Sequence, residues 1–113
     1  MLARIRRATP RSLGDRLREA LSALAQGQAQ VLTHSETAWA SVTFAGTRHR
    51  VELAFEGAEA IEAGECFIAL LPEHEFAVPG QLVADATVVE VDHRLAPEPK
   101  LTIVAELLLL EEG

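Results

Sequence analysis

The sequence has one cysteine, one tryptophan, one lysine and no tyrosine among its 113 residues. A lone Cys66 cannot close an internal disulfide, and it excludes any zinc site built from several thiolates. No apolar run approaches the roughly 18 residues of a membrane span; the leucine block Leu107–Leu110 stops after four. The N-terminus lacks the apolar stretch of a secretory signal peptide. Its arginines superficially resemble an organelle transit peptide. The same segment reads as an ordinary capped helix, so the cytoplasm is the expected compartment. There is no G-x-G-x-x-G, no P-loop and no G-x-S-x-G, so nucleotide binding or serine catalysis by those routes has no support.

Apolar residues make up 49 % of the chain and charged residues 24 %. That is enough aliphatic content to offset the entropy of ordering the chain in one domain. Nine arginines against one lysine, with abundant alanine, point to a GC-rich bacterial genome and say nothing of function. The net charge of −7 is unevenly spread. Residues 1–18 carry six arginines against Asp15, whereas the remainder carries four basic residues against sixteen acids. The acidic body repels phosphate, which argues against nucleic acid as its partner. Residues 1–11 read as a flexible basic arm, and residues 12–113 as the domain. Arginine-arm contact with nucleic acid or an anionic membrane surface is one reading; a solvated tail is the plainer one.

Ser12 followed by Asp15 is a helix start, since the hydroxyl accepts from the N–H three residues on and the acid favours the positive helix end. Leu13, Leu17, Leu21 and Leu24 recur on one helical face, and Gly27 is a stop, giving a helix over 12–26. Residues 29–34 suggest a short strand. Residues 38–45 and 48–55 alternate around Gly46-Thr47, which suits a type II′ turn. That register pairs Phe44 with His49, Val42 with Val51 and Ala40 with Leu53 on the apolar face. It places Trp39, Ser41, Thr43, Arg50 and Glu52 on the polar face. Residues 58–71 read as a second helix with the stripe Ala60, Ile61, Gly64, Phe67, Ile68 and Leu71, ended by Pro72. Gly64 weakens that helix but allows close packing on a strand. Two long strands, 81–94 and 100–111, flank the stiff loop 95–99. A symmetric loop faces Val91 with Ile103, Val89 with Ala105, Thr87 with Leu107 and Asp85 with Leu109.

The expected fold is therefore α+β: an antiparallel sheet of four or five strands against two helices, in the order α-β-β-β-α-β-β. Residues 107–110 are apolar on both faces, which requires cover on both. The cover is either the N-terminal helix or a second copy; the second alternative is a homodimer through Leu107–Leu110.

Chemistry is sparsely signalled. His34-Ser-Glu36, His74-Glu75 and Asp92-His93 each set a histidine near a carboxylate, but none has strong metal-ligand spacing, and no metal or cofactor is expected. His49 on an apolar face and Asp85 among valines are candidate buried titratable groups. Glu62 and Glu65 disfavour the Cys66 thiolate, so Cys66 is not a nucleophile. Trp39 beside Arg50 and Glu52 reads as a contact surface for a protein or small-molecule partner.

The stretch VPGQLVADATVVEVDHR followed by KLTIVAELLLLEE, after helix 58–71, resembles the helix and long hairpin of hotdog-fold thioesterases and dehydratases. The resemblance spans about residues 58–111. It implies a curved antiparallel sheet around a helix, dimerisation and activity on an acyl thioester. An acid–base pair would then have to come from His49 with Glu59 or Glu62. Without such a pair in the sequence, the reading is a small protein that works by binding or self-association rather than catalysis.

Overall fold

The computed structural model describes residues 12–112, so the basic arm read at 1–11 lies outside the described residues. Helix α1 (Leu13–Leu24) starts as its sequence dictates. Ser12 Oγ accepts from the Asp15 N–H at 3.1 Å, and the Asp15 carboxylate accepts from the Ser12 N–H at 3.3 Å, a reciprocal capping box. Leu17 and Leu21 are fully buried, while Leu13 and Leu24 pack at the margin of the core. The chain leaves the helix through Gln26 and Gly27, both at positive φ.

Strands β1 (Gln30–Ala40) and β2 (Ala45–Glu56) form an antiparallel hairpin, and β3 (Gln81–Arg94) and β4 (Lys100–Glu111) form another. Helix α2 (Ala58–Leu70) lies between them in sequence and runs into a 3₁₀ turn at Leu71–Glu73. The sheet order is β1-β2-β4-β3 and all pairings are antiparallel. The fold is α+β with the element order α-β-β-α-β-β.

Two strands, not three, precede α2. The sequence suggests a short strand at 29–34 and then a hairpin of 38–45 with 48–55 around Gly46-Thr47; residues 30–40 form one strand and the chain turns at 41–44 instead. Ser41 makes that turn. Its Oγ accepts from the N–H groups of Thr43 and Phe44, and its own N–H donates to the Phe44 carbonyl at 2.8 Å. Gly46 is needed inside β2 for a different reason. A Cβ there would sit 1.9 Å from the Leu109 carbonyl oxygen, so no side chain fits. The β1 partners change accordingly: Glu36 faces His49, His34 faces Val51 and Trp39 faces Gly46. The division of faces survives along β2, where alternation sets it, but Val42 and Phe44, expected on the apolar face opposite Val51 and His49, lie exposed in the turn.

One sheet face carries the core. Val51, Leu53 and Phe55 of β2 and Leu101, Ile103, Ala105, Leu107 and Leu109 of β4 are buried with Leu17 and Leu21 of α1 and Ala60, Ile61 and Phe67 of α2. Gly64 brings α2 close to the sheet; a Cβ there would meet Leu101 Cδ2 at 2.6 Å and Phe55 Cγ at 3.0 Å. Both helices cover this face.

The second hairpin follows the symmetric loop at first, with Arg94 opposite Lys100 and Val91 opposite Ile103. Irregularities between Val88 and Glu90 and between Val83 and Asp85 then shift the register, so Val88 faces Ala105 and Ala86 faces Leu107. Asp85 is thereby moved from the expected valine face to the opposite one, beside Leu108, where it is exposed. Because β4 is an interior strand, Leu107–Leu110 cannot be a pairing edge. Leu107 and Leu109 lie under the helices, and Leu108 and Leu110 reach the other face.

The two close approaches differ in what must yield. Gly64→Ala pushes against side chains and should cost about 1–3 kcal/mol, partly offset by the better helix former. Gly46→Ala pushes against a carbonyl in the ladder and should cost more than Gly64→Ala. Urea midpoints of the two variants check the order; a Gly46→Ala protein as stable as the parent would contradict it.

Candidate functional site

The sheet register assembles a polar cluster under α1. His34 and Glu36 are two apart on β1, and Thr47 and His49 are two apart on β2, so each pair shares a face. The leucine stripe seats α1 above them and brings Arg18 over His34. His49 is fully buried. Arg18 Nη1 lies 2.5 Å from His34 Nδ1, His34 Nε2 lies 2.9 Å from His49 Nδ1, and His49 Nε2 lies 2.7 Å from Thr47 Oγ1.

Only one assignment of protons fits this chain of contacts with both rings neutral. A guanidinium can only donate, so His34 Nδ1 accepts. The His34 proton is then on Nε2 and is donated to His49 Nδ1. The His49 proton is on Nε2 and is donated to Thr47 Oγ1. Arg18 thus sets the tautomer of both histidines through one hydrogen bond. Its other terminal nitrogen pairs with Asp15, whose carboxyl is held below the usual range by the Ser12 hydrogen bonds and then by Arg18.

Burial is the main force keeping both rings neutral. Desolvation lowers the His34 pKa, and the Arg18 charge lowers it further. Desolvation likewise lowers that of His49, followed by the charge His34 would carry. Glu36, with Oε2 3.4 Å from His49 Nδ1, acts in the opposite direction on both and is the smaller effect. A cavity of about 300 Å³, lined by Ser12, Leu13, Gly14, Arg18, His34 and Glu36, opens onto the His34 side of the cluster.

The acid–base pairs considered from the sequence are not assembled. Among the described residues, the side chains within hydrogen-bond or ion-pair reach of His49 are His34, Thr47 and Glu36. Glu59 and Glu62 are exposed on α2, and Glu59 accepts from Gln28 Nε2. Cys66 is exposed on the same helix. All four ring nitrogens of His34 and His49 are engaged within the cluster. The His34-Ser-Glu36 spacing was the available signal, but Arg18 and Thr47 enter only through the register and the seat of α1.

Among the described residues, no helix lies over the opposite sheet face. Arg50 donates from Nη1 to Glu106 at 2.6 Å and from Nη2 to Glu90 at 2.8 Å, an ion triad across β2, β4 and β3. Glu106, more than Glu90, raises the Arg50 pKa. Glu52 accepts from Thr33 Oγ1. Trp39, Gly46, Leu110 and Leu82 form a row across all four strands at one end of this face. Val42 and Phe44 are exposed in the adjoining turn. Trp39, Arg50 and Glu52 lie on one face, but Trp39 stands opposite Gly46 at its end while Arg50 and Glu52 stand opposite Ser35 and Thr33, so the expected adjacency of Trp39 to the two charges is not formed.

The depressed histidines give stability a direction with pH. Both folded pKa values lie below the ordinary value of 6.5, so their contribution is complete above about pH 6.5. It declines as the pH falls below that value and protons bind the unfolded chain preferentially. The melting temperature should fall between about pH 7.5 and pH 5.5. The fall should be smaller in a His34→Gln/His49→Gln double variant. A variant slope as steep as the parent's would place the titration elsewhere.

No family model matches the sequence, and no curated protein matches it. Among solved structures, the chain is similar to a chain in the virion of a native gene transfer agent particle, with a TM-score of 0.56 at 12 % sequence identity. The alignment covers 88 % of this chain and 92 % of that one, a likeness of fold.

Proposed function

We propose that this protein works by self-association, as a building block of an oligomeric assembly. The observation that carries the reading is the uncovered sheet face. It carries the row Trp39, Leu110 and Leu82 at one end, beside Val42 and Phe44 exposed in the turn, while its basic residues Arg48, Arg50, Arg94 and Lys100 lie among the acids Glu52, Glu56, Asp85, Glu90, Asp92 and Glu106. The apolar end of this face meets the same patch on a second copy in a self-complementary contact, the commonest form of association between like chains.

Two further features support this reading. The β3 edge is broken by two bulges and carries Glu90, Asp92 and Arg94, a pattern that discourages pairing of copies at that edge. The occurrence of a chain of similar fold in a gene transfer agent virion supports the reading. Acyl-thioester chemistry gains less support, because the buried histidines have no ring nitrogen unengaged.

Light scattering across a dilution series tests the proposal. The parent protein should show a mass that is a multiple of 12.2 kDa. Leu82→Lys combined with Phe44→Lys should return it to 12.2 kDa, since both side chains are exposed and their loss spares the core. A parent that stays at 12.2 kDa at every concentration, or an assembly indifferent to these substitutions, overturns the proposal.

A further inference from the structure

We propose that His34, Glu36 and His49 form a binding site for a divalent transition-metal ion of the zinc type. His34 Nε2, His49 Nδ1 and one Glu36 oxygen lie within 4.8 Å of one another. The two measured separations around His49 Nδ1 are 2.9 Å to His34 and 3.4 Å to Glu36. Adjacent ligands at about 2.05 Å from a tetrahedral zinc ion are about 3.3 Å apart, so the donors need to move only slightly to surround one ion.

Two imidazoles and a carboxylate suit zinc, and are less suited to the oxygen-seeking magnesium or calcium. Paired strands hold all three ligands. His49 is already prepared: its Nδ1 carries the lone pair, and its Nε2–H is donated to Thr47, the outer hydrogen bond that orients a metal-bound histidine. The cavity beside His34 and Glu36 leaves room for a water as fourth ligand.

Arg18 opposes the ion. A metal on His34 Nε2 moves the ring proton to Nδ1, where the guanidinium now donates. Arg18 must therefore release His34 and turn into the cavity, taking its positive charge away from the ion. No net proton is lost by the two neutral rings, and Glu36 contributes the negative charge. The site has two exclusive states, the hydrogen-bonded chain headed by Arg18 and the metal-bound set.

Titration with Co²⁺ alone, followed by its visible d–d absorption, and calorimetry with Zn²⁺ alone test this. One ion should bind per chain, with the intense bands of a four- or five-coordinate cobalt site. His34→Gln and His49→Gln should each abolish the bands, and Thr47→Val should weaken binding about 10–100-fold. Arg18→Met should tighten it about tenfold or more. His74→Gln, away from the cluster, should leave it unchanged, and circular dichroism confirms that each variant is folded. No cobalt spectrum in the parent, binding that persists in the folded His34→Gln/His49→Gln double variant, or weaker binding in Arg18→Met overturns the proposal. The site lies on the helix-covered side, so its outcome is independent of association through the open face.

Discussion

The absence of a side chain at Gly46 governs the arrangement of the sheet. The Leu109 carbonyl occupies the space where a Cβ would stand, and this contact locks β2 against the central strand β4. With Gly46 committed to the ladder, the chain turns four residues earlier on the hydroxyl of Ser41. The earlier turn lengthens β1 and carries Glu36 opposite His49, with His34 diagonal to it. One backbone contact thus positions the polar cluster, although Gly46 touches none of its side chains.

What was legible in the sequence was local. Ser12 and Asp15 announced α1 because both halves of a capping box lie within one helical turn. The stripe from Ala60 to Leu71 announced α2, and Gly64 within it had the packing role its small size suggested. The face of His49 was legible from β2 alternation alone. The hairpin turn was not, because Gly46-Thr47 carries a strong local turn signal, and only contact with β4 reveals the competing use of the glycine. Bulges are equally silent. Val91 opposite Ile103 follows from the loop, but each unpaired residue further along β3 reverses the faces, which is how Asp85 left the core side. The Arg18–His34 contact joins residues from separate elements and depends on the position of α1, so no spacing in the sequence encodes it.

The cluster exposes a tension between stability and reactivity. A buried histidine is stable when neutral and fully hydrogen-bonded, and His49 meets both conditions through His34 and Thr47. The same saturation removes the lone pair that a general base requires. Glu36 remains at the margin, 3.4 Å from His49 Nδ1, with no proton there to receive while the chain of donors runs from Arg18. A carboxylate in that position adds little to the neutral network, but it fits a state in which a cation has displaced the Arg18 contact.

The asymmetry of the sheet connects these features to assembly. On the helix side, alternate β4 residues are sealed and the polar cluster is closed except at the α1 margin. On the other side, the same strand directs half-buried Leu108 and buried Leu110 toward the open face, with Glu106 tied to Arg50. Burying an ion triad costs desolvation, so this part of the face suits the hydrated rim of a contact, whereas the Trp39–Leu82 end suits its dry centre. The turn bearing Val42 and Phe44 extends that apolar end beyond the sheet. A partner seated there buries tryptophan and leucine surface while leaving Arg50 and its carboxylates wet, which makes the end of the sheet, rather than its middle, the place where association gains most of its free energy.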